Sequence, residues 1–70
     1  MSITKEKLNF SHREMEVLNL IKDGLSSREI GKQLVMSEDT VETYRRNMLR
    51  KAGAKNMIMV VYAAKDCGII

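Results

Sequence analysis

The stretch Ser26–Lys51, SSREIGKQLVMSEDTVETYRRNMLRK, decides the fold: it spells two short helices joined by a tight turn, the second ending in basic residues. A serine opens each helix. Ser26 stands three residues before Glu29, the spacing at which a hydroxyl accepts from the third helical N–H while the acid accepts from the cap N–H. Ser37 stands three before Thr40 and offers the same cap. Just outside each cap lies an apolar residue, Leu25 facing Ile30 and Met36 facing Val41, the hydrophobic staple that fixes how the chain enters a helix. No Gly or Pro marks the turn at Val35, Met36 and Ser37, so the Ser37 cap has to set it. A compact helix pair whose second member is positive along one side is the layout that presents a helix to the DNA major groove. Double-stranded DNA is therefore the first partner the sequence suggests.

The same grammar recurs on both sides. Ser11 caps a first helix with Glu14 at its third position and Phe10 stapled to Met15, while Val17, Leu18 and Ile21 form an inward stripe. Gly24 can take the left-handed conformation that a helix stop requires. The second helix runs from about Ser27 to Leu34 or Val35 and buries Ile30 and Leu34. Gly31 inside it costs roughly 1 kcal/mol relative to Ala, and reads as a point where the next helix crosses closely. The third helix spans about Glu38 to Ala52. Its inward stripe is Val41, Met48, Leu49 and Ala52, edged by Tyr44 and Arg45; Asp39, Glu42, Thr43, Arg46, Asn47 and Arg50 lie outward. Gly53 stops it. A fourth helix starts near Asn56 and carries Ile58, Val60, Val61, Tyr62, Ala63 and Ala64 before Gly68. It is apolar on more than one face, so one face meets the core and the other needs a partner. Residues 1–9 are polar and read as a flexible N-terminal segment or linker remnant, with 10–70 as the folded domain. The class is all-α, a four-helix helix-turn-helix domain.

Composition narrows the functions. Seventy residues make one small domain, and a chain this size buries roughly 60% of its unfolded surface, so a partner adds needed stability. With one His (His12) and one Cys (Cys67), no nucleophile–base pair and no metal-ligand set can be assembled, so neither an enzyme nor a cofactor is expected. No apolar run approaches the roughly 18 residues of a membrane span, and no signal-peptide core opens the chain. The expected location is the cytoplasm, on the nucleoid. The net charge of +3 is modest, but its distribution is not even. No acid falls between Arg45 and Lys65, where Arg45, Arg46, Arg50, Lys51, Lys55 and Lys65 all lie.

From Phe10 to Asn56 these residues resemble the effector domain of the LuxR/FixJ/NarL-type (GerE-like) bacterial transcription regulators. The resemblance is carried by the Arg-Glu-x-Glu-Val-Leu opening that ends at Leu18, the Gly24–Ser26 turn and Glu29-Ile30. It continues through Ser37-x-x-Thr40-Val41 and the Lys51-x-Gly53-x-Lys55-Asn56 run, and covers about residues 8–70. It implies a sequence-specific regulator whose third helix enters the major groove and whose fourth helix pairs two copies as a homodimer, with RNA polymerase as a further candidate partner. Carried over, Glu42, Thr43 and Arg46 face bases. Ser27, Arg28, Thr40, Tyr44, Asn47, Arg50 and Lys51 lie near sugar-phosphate, and Val60, Val61 and Ala64 form the dimer seam. Relatives usually carry a receiver or ligand-sensing domain ahead of this unit, so the chain reads as an excised piece or as a free-standing regulator.

Four positions depart from the pattern. His12 stands where Pro is usual and Gly31 where Ala is usual. Arg45 replaces a common apolar residue, so its stem is expected to cover the core while its head reaches backbone phosphate. Glu42 stands where many relatives have Lys. An acid there can accept from cytosine N4 or hold Arg46 one turn away, and it repels phosphate. An alternative function follows from Glu42 and the small net charge: a helix-turn-helix without DNA affinity, serving as a dimerisation or protein-interaction module. Arg45-Arg46 and Arg50-Lys51 argue against it.

Overall fold

The computed structural model describes residues 3–70. A single 3-10 turn, Lys5–Leu8, precedes four helices: α1 His12–Lys22, α2 Ser27–Leu34, α3 Glu38–Ala52 and α4 Met57–Asp66. There is no strand among the described residues. The helix starts follow the serine grammar. Ser11 Oγ accepts from the Glu14 N–H at 3.1 Å while Glu14 Oε1 accepts from the Ser11 N–H at 2.8 Å. Ser26 and Glu29 repeat that reciprocal box at 3.2 and 2.8 Å. The α3 cap is one-sided: Ser37 Oγ accepts from the Thr40 N–H at 3.1 Å. Asn56 caps α4 through the Met59 N–H at 3.0 Å. Each of these bonds satisfies a donor that a helix start otherwise leaves open.

α3 is the hub, packing on α1, α2, α4 and the 3-10 turn. Its buried Val41, Met48 and Ala52 meet Val17 and Leu18 of α1, Ile30 of α2, and Met57, Val60 and Ala64 of α4 in one cluster. Burying an aliphatic side chain of this size contributes about 1.5–3 kcal/mol, so α3 is held in place mainly by its inward stripe. Leu8 belongs to the same cluster at 2% exposure. The segment read as a loose leader therefore supplies a core residue: the 3-10 turn lays Leu8 against α3 and α4. Met1 and Ser2, part of that expectation, lie outside the described residues.

The α2–α3 turn is closed in an unusual way. Val35 adopts φ 56° and ψ 56° and is 91% exposed, the left-handed region that β-branched residues rarely enter. The Met36 N–H then donates to the Gly31 carbonyl at 2.8 Å. Gly31 is needed at that point, because a Cβ there would lie 2.6 Å from the Met36 carbonyl oxygen. The close approach expected at Gly31 is thus made by the backbone of the turn rather than by the body of α3.

Candidate nucleic-acid interface

The outward face of α3 is open. Asp39, Thr43, Arg46 and Arg50 are exposed, and Glu42 and Asn47 flank them half-buried. The Thr43 hydroxyl donates to the Asp39 carbonyl at 3.0 Å and accepts from Arg46 Nη2 at 3.2 Å. This relay orients the guanidinium along the helix surface while committing one of its five donors. Arg46 forms no ion pair among the described residues. A planar donor fork held this way can make paired hydrogen bonds to a base edge or a phosphate.

The α2 flank is occupied from within. The Ser27 hydroxyl donates to Glu42 Oε2, and Arg45 Nε lies 3.6 Å from the same oxygen. Glu42 therefore holds Ser27 and Arg45 and not Arg46, because positions 42 and 45 sit on the side of α3 that meets α2 and α4. Arg45 shares a shallow cleft with Ile21, Ile58, Val61, Tyr62 and Lys65. In the free chain its Nε is turned to the Glu42 carboxylate. Of the other residues given to the backbone, Arg28, Thr40 and Arg50 are exposed, and Ser27, Tyr44 and Asn47 are half-buried. Thr40 is within 2.9 Å of the Ser37 hydroxyl, so its side chain completes the α3 start.

Lys51 has an internal partner. Its Nζ donates to Glu14 Oε1 at 2.7 Å, the oxygen that also accepts from the Ser11 N–H. Glu14 is 3% exposed, and a buried carboxylate needs such partners. In the free chain this ammonium ties the end of α3 to the start of α1. Burial pushes the Glu14 carboxyl up, but the Lys51 ammonium and the Ser11 N–H together hold it below the ordinary carboxylate value. Glu14 was legible as a capping acid; its partner 37 residues on carried no local signal.

Two of the three α4 residues expected at a seam lie inside the fold. Val60 and Ala64 are wholly buried in the core and have no surface to offer a second copy, while Val61 is half-buried. The apolar side chains that α4 leaves outside are Ile58 and Tyr62, each 67% exposed. Positions 58, 61, 62 and 65 form one helical stripe and 57, 60 and 64 a neighbouring one. Both stripes carry apolar residues, Lys65 apart, which is why the sequence alone did not choose between them.

His12 is exposed and its Nε2 lies 3.8 Å from Glu16. Cys67 is half-buried at the end of α4. Among the described residues no three His, Cys, Asp or Glu side chains gather in a metal-binding group, and no helix is long and apolar enough to cross a membrane.

Comparison with known proteins places this geometry. Residues 8–64 match the family described as "Bacterial regulatory proteins, luxR family". The chain is 39% identical over 61 residues to the probable csgAB operon transcriptional regulatory protein of Salmonella typhimurium, covering 87% of this chain and 28% of that protein. It is 41% identical over 63 residues to the transcriptional activator protein PhzR of Pseudomonas fluorescens, covering 90% and 26%. The crystal structure of Escherichia coli SdiA superimposes with a TM-score of 0.88 at 37% identity, over 96% of this chain and 28% of that one. The chain thus spans little more than a quarter of the length of these relatives. With the family pattern matched across most of its length and the four-helix fold shared, the chain belongs to the LuxR family of bacterial regulatory proteins.

Proposed function

We propose that the chain binds DNA sequence-specifically and regulates transcription, with α3 lying in the major groove. The observation that carries this is the open outward face of α3, where Arg46 is oriented by Thr43 and bound to no carboxylate. In this reading Arg46 and Thr43 read bases, while Arg28, Arg50, Asn47, Thr40 and Tyr44 set the register on sugar-phosphate. Two copies pair through the exposed stripe of α4. Val61 keeps the role first given to it, and Ile58 and Tyr62 take the places of Val60 and Ala64. A two-fold pair sets two α3 helices about one helical turn apart on a roughly palindromic site. Membership of a family of regulators and the regulator names of the relatives support the reading.

Selection of bound duplexes from a random pool, followed by anisotropy titrations, tests it. Arg46→Ala is expected to weaken the selected duplex by roughly tenfold or more and to lose less on a random one, as for a side chain worth ~1–3 kcal/mol of base discrimination. Equal losses on both would move Arg46 to the phosphate contacts. No duplex binding at any salt would favour the protein-interaction module instead.

A further inference from the structure

An acid beside a face offered to a polyanion needs an account, and Glu42 is that acid. Its Oε2 accepts from the Ser27 hydroxyl and faces Arg45 Nε at 3.6 Å. Ser27 is the first residue of α2, where the helix dipole and free N–H groups favour an anion. Glu42, from the neighbouring helix, brings an anion to the side chain of that first residue. Arg28, on the same turn of α2, is exposed and forms no ion pair among the described residues, so a second donor waits beside the occupied one.

We propose that Glu42 is an internal stand-in for a DNA phosphate: it holds Ser27 and Arg45 in the free protein, gives them up when a duplex docks, and reads no base. The inference rests on the DNA reading above and assigns Glu42 a role inside it. Docking exchanges the Ser27 donor from carboxylate to phosphate and leaves the carboxylate facing like charge. The exchange opposes binding to every duplex alike, because phosphates do not vary with sequence. Recognition then depends on Arg46 and Thr43 to overcome a resistance common to all sites.

The test compares wild type, Glu42→Ala, Ser27→Ala and the double variant on one selected and one random duplex. The three variants change half-buried residues outside the core, and thermal unfolding of each shows that it folds. Glu42→Ala is expected to tighten both duplexes by a similar factor, about three- to tenfold, the scale of one like-charge contact near a protein surface. The motif recovered by selection stays the same. In the Ser27→Ala background the gain from Glu42→Ala shrinks, since no donor remains to be released. A changed preference at one position per half-site makes Glu42 a base reader and overturns the proposal. An unimproved affinity, or an equal gain with and without Ser27, overturns it as well. Failure of the wild type to bind any duplex overturns the DNA reading and this inference together, whereas wild-type binding without the Glu42 effect overturns this inference alone.

Discussion

The two ends of α3 are fastened by opposite means. At its start the chain turns through Val35, a β-branched residue in the left-handed region, and the turn presses against a helical glycine. At its finish Gly53 takes a similar conformation, φ 66° and ψ 31°, where glycine meets no Cβ penalty. Lys51 then adds an ion pair to the buried Glu14. The start is held by close backbone packing that tolerates a poor local conformation, the finish by a good local conformation and a long-range charge contact. A helix whose outward face is left open needs both ends fixed, and the two solutions fail under different perturbations.

Lys51→Met is expected to have the largest effect on this contrast. It leaves Glu14 buried without its cation, and because the Lys51 side is open to water the loss falls from roughly 3–5 kcal/mol for a fully buried pair to about 2 kcal/mol. Urea unfolding measures it directly. Since the Glu14 carboxyl is held below its ordinary value in the folded protein, its contribution is fully present above the unfolded-state pKa and is lost as pH falls through the lower folded one. In Lys51→Met the folded-state value moves up toward the unfolded one, so the acid-linked loss of stability carried by Glu14 should shrink relative to the wild type. Identical acid profiles would remove Lys51 from the account.

Gly31→Ala comes next. The gain in helix propensity is about 1 kcal/mol, but the added Cβ meets the Met36 carbonyl oxygen at 2.6 Å and the backbone of the turn must shift. A net loss of about 1–2 kcal/mol is expected, read as a fall in Tm of roughly 5–15 °C. A Tm equal to or above that of wild type would show that the turn yields freely. Gly53→Ala should cost about 1 kcal/mol, the left-handed penalty less the entropy gained in the unfolded chain. Val35→Asn is the smallest change and runs the other way, a gain of about 0.5–1 kcal/mol, because Asn tolerates the left-handed region. If Gly53→Ala and Val35→Asn both leave Tm unmoved, the contrast between the two ends has no energetic content.

What the sequence made legible was local. The caps at Ser11, Ser26, Ser37 and Asn56 depend on partners three residues away, and all four form. The outward face of α3 followed from helical spacing alone. Leu8 was missed because a single apolar residue in a polar string has no period to reveal it. The left-handed turn at Val35 lacked the glycine or asparagine that usually marks one. That Val60 and Ala64 face inward was not legible because α4 carries apolar residues on more than one face, and burial is decided by the helices it packs on. The bonds from Lys51 to Glu14 and from Ser27 to Glu42 join residues 37 and 15 positions apart, and only the packed helices bring them together.

The Lys51–Glu14 pair has a kinetic consequence. A cation paired with a buried carboxylate contributes little to the field that a distant duplex would sense, so the basic half of the sequence overstates the attraction at long range. For a DNA partner, the encounter rate should respond weakly to ionic strength, and discrimination between sites would reside in how long a complex survives after contact.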